Sequence, residues 1–427
     1  MKLYEGDLKV NYWWLSINPR MIRFRDFDVD DTFFYYFNIE DVNEKKLLNK
    51  FLEVKKNEKV IIYERMSGTD GKIIGLCEIE EEYNDNKICF KKTENLTNSI
   101  SKNLILSLRD IGNIEPLRFE NENFFKLSEK EFNIIYKIID EMNPKFSYMN
   151  EEDYLKEDFL NDVIFDADEF DNLKDLILTR KNVILEGIPG VGKTFIAKRI
   201  AYAIIGKKAT GRILNIEFHK NYSCDEFIEG YRPDDIGIYK YREGCFKHFC
   251  NKARNNRDKK YFLIIDEINR GDIIKIFGET FMLLEADKRG KENYVELSAS
   301  KERFYIPNNL FIIGTMNYLA DSAIISDFAV RRRFCFYKVK DVFDNKKFKN
   351  LIEKSELKKN LVKLIIEINS ALDDNKKIGH YYVLKDKNDF ETKKTIKYEL
   401  IPFVEELFKN DISLKNEFTI KLLNLIN

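Results

Sequence analysis

The stretch NVILEGIPGVGKTFIAKRIAYAII, residues 182–205, decides how the rest of the chain is read. An apolar run of strand type stops at a glycine-rich turn, and a helix-forming run begins directly after it. The turn, GIPGVGKT at 187–194, fits G-x-x-x-x-G-K-[ST], a loop whose backbone N–H groups wrap phosphate oxygens. The glycines allow that inward turn, and the following helix aims its N-terminus at the same anion. Gly187, Pro189, Gly190, Val191, Gly192, Lys193 and Thr194 are therefore the expected nucleotide-binding residues. Lys193 is expected to reach the β- and γ-phosphates, and the Thr194 hydroxyl to bind Mg2+.

Two more buried runs lie downstream. YFLIIDEINRG (261–271) delivers Asp266 and Glu267 to the C-terminal end of a strand, where ligands sit in an open α/β sheet. Asp266 is assigned to Mg2+, directly or through water, and Glu267 to polarising the attacking water. LFIIGTMN (310–317) ends in Asn317, whose amide can help position that water if its strand neighbours the other two; the plainer alternative is a turn Asn capping the next helix. Arg331, Arg332 and Arg333 follow in FAVRRRF (328–334). A guanidinium from an adjacent subunit can stabilise charge accumulating in phosphoryl transfer, so the triplet predicts a homo-oligomer with sites shared between subunits. At least one of the three is expected to be an ordinary basic helix end.

The 427 residues exceed one ordinary domain. Residues 1–145 read as short strands with few helices, 146–162 as a polar linker, 163–340 as alternating strands and helices, and 341–427 as a small helical subdomain. Hydrophobic residues make up 44% of the chain, enough for real cores. Lys+Arg 72 nearly cancels Asp+Glu 73, so any nucleic-acid contact must use a local basic patch. Six cysteines without a CxxC pair, and only three histidines, argue for reduced thiols rather than a zinc site. The opening residues mix charges too early for a signal peptide, and no apolar run approaches the ~18 residues of a membrane span. A soluble, cytoplasmic protein without membrane contact is expected.

Taken together, GIPGVGKT, FHKNYSCDEFIEGYRP (218–233), LIIDEINRGDIIKIFGE (263–279), GTMN, FAVRRRF, IGHYYVL (378–384) and YELIPFVEELF (398–408) resemble the AAA+ superfamily. Within it they resemble the McrB-type GTPases of modification-dependent restriction systems. The resemblance implies a hexameric ring that prefers GTP, with ATP as the alternative. It also implies hydrolysis stimulated by a McrC-like nuclease subunit and DNA translocation, with no nuclease activity in this chain. The family pattern Met-Asn-x-x-Asp carries over at Asn317; its acidic slot holds Ala320, and Asp321 takes that role if the loop shifts by one residue.

The N-terminal VNYWWLSINPRMIRF (10–24), with GKIIGLCEI (71–79), resembles EVE domains of the PUA-like group, which bind modified bases in nucleic acid. Such a base is flipped into an aromatic pocket, where stacking and edge hydrogen bonds offset the cost of extrusion. Trp13, Trp14, Ser16, Asn18 and Tyr63 are the pocket candidates, although adjacent strand residues face opposite sides and at most one tryptophan can line one pocket. Arg20, Arg23 and Arg25 form a candidate phosphate-contacting patch, or else a solvated face paired with Asp26 and Asp28. The expected fold class is α/β plus α+β. It combines a mostly β PUA/EVE-like domain, an AAA+ P-loop domain with a parallel sheet, and a helical lid. Two other functions fit the residues: an ATP-dependent remodeller of a protein target, and a nucleotide-dependent assembly switch with little turnover.

Overall fold

A computed structural model describes residues 11–36, 48–65, 71–108, 111, 113–119, 122–143, 152–233, 237–317 and 327–426. Among the described residues, six strands come first: β1 (Tyr12–Ile17), β2 (Thr32–Tyr36), β3 (Lys59–Glu64), β4 (Lys72–Asn84), β5 (Lys87–Ser101) and β6 (Phe124–Leu127). They form one sheet in the order β2-β5-β4-β3-β1-β6, antiparallel except for β1 beside β3. Strand alternation sends side chains to two apolar layers. Trp13, Leu15 and Ile17 enter one with Phe24, Phe33 and Phe90; Trp14 enters the other with Ile61, Tyr63 and Phe125. The helix Glu129–Met142 covers the second layer with Phe132, Ile135 and Ile139. It starts at a capping box in which Ser128 and Glu131 satisfy each other's backbone donors.

Further along come β7 (Asn182–Gly187), β8 (Ile213–Glu217), a hairpin of β9 (Glu229–Pro233) and β10 (Tyr239–Glu243), and β11 (Tyr261–Asp266). The hairpin β12 (Val295–Glu296) and β13 (Arg303–Phe304), then β14 (Leu310–Asn317) and β15 (Cys335–Lys338), follow. Five of these build a parallel sheet in the order β15-β7-β14-β11-β8. Parallel neighbours need crossover connections, and their strands read as continuous apolar runs because both faces are covered. The helices Ala167–Arg180 and Lys193–Ile205 supply part of that cover through Phe170, Leu173, Ile177, Ile196 and Ile200. The C-terminal helices bury their own cluster around Phe348, Leu361, Ile365, Leu400 and Val404.

Two compact units emerge. The first contains the described residues of Met1–Met149, Tyr231–Arg257 and Tyr294–Tyr305; the second contains those of Asn150–Gly230, Asp258–Asn293 and Ile306–Asn427. Two segments lying between strands of the parallel sheet in sequence thus belong to the first unit. Polar contacts join buried Phe246, Phe249 and Phe304 in these segments: Arg25 pairs with Glu243 and Glu302, Lys247 with Glu302 at 2.6 Å, and the Arg303 N–H donates to Asp26 at 3.0 Å.

Candidate nucleotide site

β7 ends at Gly187, where an added Cβ would lie 2.6 Å from the Val339 carbonyl oxygen. Gly190 and Gly192 adopt φ of +79° and +80°, which only glycine takes without strain. The helix Lys193–Ile205 begins directly after Gly192, and no side chain caps its first turn. Its leading N–H groups are therefore arranged to meet an anion.

The order of the sheet assembles the rest. β14 lies between β7 and β11, with Asn317 in register with Gly187, so the amide ends beside both the glycine loop and the acidic strand. Lys193 Nζ donates to the Gly187 and Ile188 carbonyls at 3.1 and 3.0 Å and to Asn317 Oδ1 at 2.7 Å. Asn317 Nδ2 in turn donates to Glu267 Oε1 at 2.8 Å. An ammonium only donates and a carboxylate only accepts, so these neighbours fix the orientation of the amide. Burial pulls the Lys193 pKa down to about 8, against the opposing pull of Glu267 and Asp266.

Asp266 Oδ1 accepts from Thr194 Oγ1 at 2.8 Å and from the Thr315 hydroxyl. A hydroxyl and a carboxylate at the mouth of a phosphate-binding loop are hard oxygen donors of the kind Mg2+ takes, and the donor set fits that ion. Glu267 holds a left-handed backbone conformation, φ +48°, and its second oxygen accepts from Arg270 Nε at 3.1 Å.

The three arginines separate. Arg333 donates to the Phe281 and Ala329 carbonyls, pairs with Glu285 at 3.1 Å, and has a side chain only 15% exposed. Its guanidinium is thus spent on its own helix, on Phe281 and on Glu285. Arg332 also meets Glu285, at 3.2 Å, but its side chain is 73% exposed. Arg331 is exposed and lies 5.5 Å from the Phe336 ring centre. Asp321 falls outside the described residues.

The structure adds residues for which the sequence offered no role. Thr315 is one; it lies two residues before Asn317 and so shares its strand face, which the period-two rule could have signalled. The others come from IGHYYVL. Gly379 N–H and Tyr381 N–H donate to the Pro189 and Gly190 carbonyls, both at 2.9 Å. An added Cβ on Gly379 would come within 2.4 Å of the Gly190 backbone. Asn369 holds this segment by bonding both the N–H and the C=O of Ile378. His380 lies half-buried beside Phe343 and Phe348, and loss of solvent lowers its pKa to about 4 against a smaller pull from Asp341.

The N-terminal candidates do not converge in this way. Trp13 and Trp14 are both 0% exposed and belong to opposite layers. Trp13 Nε1 donates to buried Glu58 at 2.6 Å, while Trp14 Nε1 donates to Ser16 Oγ at 3.0 Å and its ring lies 4.9 Å from that of Tyr63. Trp14, Ser16 and Tyr63 share a face; Asn18 and Arg20 are exposed, with Asn18 Oδ1 accepting from the Arg20 N–H at 2.9 Å. Arg25 is committed to Glu243 and Glu302, which hold its pKa above the ordinary value despite burial, and Arg23 reaches the Lys301 carbonyl at 3.0 Å. The expected partners Asp26 and Asp28 are not the ones these two arginines take.

A family model for the AAA domain (dynein-related subfamily) matches residues 182–334. The chain is 37% identical over 292 residues to the type IV methyl-directed restriction enzyme EcoKMcrB subunit of Escherichia coli K12, covering 64% of this chain and 63% of that protein. It is 28% identical over 193 residues to the type II restriction enzyme BsuMI component YdiS of Bacillus subtilis, covering 36% of this chain and 56% of that protein. The chain thus spans about 60% of the length of these curated relatives. Solved structures similar to part of it include human THYN1 in complex with 5-methylcytosine containing DNA, at 14% identity over 30% of this chain and 97% of that one, with a TM-score of 0.25.

Proposed function

We propose that this chain, which matches the AAA domain over residues 182–334 and is 37% identical over 292 residues to an McrB subunit, is an AAA+ protein of the McrB type and the nucleotide-hydrolysing motor subunit of a type IV restriction system. GTP is its expected fuel, Mg2+ its cofactor, and a McrC-like nuclease subunit its partner. The observation that carries this reading is the Asn317 amide, bonded to Lys193 on one side and to Glu267 on the other.

That arrangement supports hydrolysis as well as binding. The glycine loop and the helix N-terminus receive the triphosphate. Lys193 exchanges its loop carbonyls for β- and γ-phosphate oxygens. Thr194 and Asp266 are the residues that would hold Mg2+, which supplies neutralisation of phosphate charge. Glu267 accepts the proton of the attacking water, and Asn317 keeps the carboxylate aimed. Arg331 and Arg332, more exposed than Arg333, are the candidates to act on the site of an adjacent subunit in a hexameric ring. The N-terminal module reads modified bases in DNA, through Trp14, Ser16 and Tyr63 on one face and the exposed Asn18 and Arg20.

The test pairs hydrolysis with cleavage. Purified protein is assayed with GTP and ATP, then with a McrC-like partner on modified and unmodified DNA. GTP-dependent turnover and cleavage of modified DNA alone are expected; equal cleavage of both substrates removes the reader role.

A second reading, an ATP-dependent remodeller of a protein target, is favoured by one observation. The tryptophans are packed at 0% exposure and Arg25 is ion-paired, which leaves fewer free groups for a base or a phosphate. Turnover stimulated by protein and indifferent to DNA would select it.

A further inference from the structure

Asp28 is a buried carboxylate, 5% exposed, in the turn between β1 and β2. It accepts from the Tyr305 hydroxyl and pairs with Arg257 at 2.9 Å. Those two residues are remote in sequence and share one property: Arg257 and Tyr305 are the last residues of the two segments that join the first unit. The connector 258–260 leads from Arg257 into β11, and 306–309 leads from Tyr305 into β14.

The connectors are themselves paired. Tyr261 N–H donates to the Asn309 carbonyl at 2.9 Å, and Asn309 Nδ2 donates to the Lys259 carbonyl at 2.8 Å. Beyond them Tyr261 stands opposite Leu310, and the register runs without a break to Ile265 opposite Gly314. At the far ends of the same strands, Thr315 meets Asp266 and Asn317 meets Glu267. Arg254 reinforces the near end by donating to the Tyr305 carbonyl and lying 3.9 Å over its ring. Burial above all, aided by Asp28, keeps the Tyr305 phenol protonated and so able to donate.

An extended strand is stiff along its axis, and one residue of slip is ~3.3 Å, enough to break every side-chain bond at its end. We propose that Asp28 is a positioning residue for nucleotide hydrolysis: by clasping Arg257 and Tyr305 it holds β11 and β14 in axial register, and so holds Glu267 against Asn317. The clasp touches neither phosphate nor water. Because Asp28 lies eleven residues after Ile17, the end of β1, the module assigned to base reading contains the group that sets the alignment of the catalytic strands.

This rests on the hydrolysis reading for one of its two readouts. The experiment uses the full chain carrying Asp28→Asn, with Tyr305→Phe as a milder variant and Lys55→Met, an exposed residue paired with Glu82, as the control. Folding is checked by near-ultraviolet circular dichroism. Hydrogen exchange is followed over 261–266 and 310–317, and kcat and nucleotide Kd are measured in parallel. We expect faster exchange in both strands and kcat lower by ~5-fold or more, with Kd within ~2-fold and no effect of Lys55→Met. Exchange that rises only within 23–31, 243–257 and 294–305, with kcat unchanged, overturns the proposal. If the unmodified chain hydrolyses no nucleotide, the hydrolysis reading falls. The exchange data then decide the clasp alone: faster exchange in 261–266 and 310–317 supports it, and unchanged exchange there overturns it. If Asp28→Asn does not fold, Tyr305→Phe is judged by the same outcomes.

Discussion

The strand ends of the parallel sheet and the first strand of the N-terminal sheet treat their conspicuous residues differently. At the end of β14, Lys193, Glu267 and Asn317 come from three places in the chain and meet within hydrogen-bond distance. In β1, Trp13 and Trp14 are neighbours in sequence and are sent to opposite layers. Parallel strands deliver their C-terminal residues to one edge, so remote groups converge. A strand's own period of two divides adjacent ones. A motif at a strand end therefore predicts a site, whereas an aromatic pair within a strand predicts two packed layers.

The strongest way to break this contrast is Glu267→Gln. It should lower turnover by ~10²–10⁴-fold while leaving nucleotide affinity nearly unchanged, as measured by steady-state hydrolysis beside binding of a non-hydrolysable analogue. Unchanged turnover would make the acidic strand end structural, like β1.

Trp14→Ala tests the other side. A packed tryptophan should cost ~3–5 kcal/mol of stability, read from denaturant unfolding of the first unit. A loss well below that, with reduced affinity for modified DNA, would turn the buried ring into a pocket wall and dissolve the contrast.

Lys193 yields a pH test. Its pKa near 8 in the free protein should rise when phosphate replaces carbonyl oxygens, so binding takes up a proton above that pH. Nucleotide Kd should be flat below pH 7 and weaken by up to ~10-fold per unit above 8. A flat profile to pH 10 would mean that the ammonium does not meet the phosphates.

The smallest effect concerns His380. Its pKa is lowered to about 4 in the folded chain, so below pH ~6.5 the unfolded state binds the extra proton. Stability of the C-terminal helical cluster should be constant above that value and fall as pH drops towards 4. The melting temperature should follow this course, and His380→Phe should flatten it.

Much of the nucleotide unit was legible. The glycine loop, the acidic pair and the buried strands β7, β11 and β14 are local patterns of apolar run, turn and helix. β8 and β15 were not read as strands, since their alternating or half-buried faces carry no continuous apolar signal. The docking of Gly379 on Gly190 had a quoted motif but no assigned role, because a lid contact has no spacing rule. In the N-terminal module the mostly β character was legible, whereas the fate of Arg23 and Arg25 was not: their partners lie more than two hundred residues away, at Lys301 and at Glu243.

The sequence by itself determined that residues 187–194 form a glycine turn of phosphate-binding type between a strand and a helix, because the three are adjacent and each follows from local sterics. Only the tertiary structure decided that Asn317 faces both Lys193 and Glu267, and that Asp28 holds both Arg257 and Tyr305. Those pairings depend on strand order, with β14 inserted between β7 and β11, and on which unit each connecting segment joins. Such choices are set by the free energy of burying whole layers together, and no local window of sequence contains it.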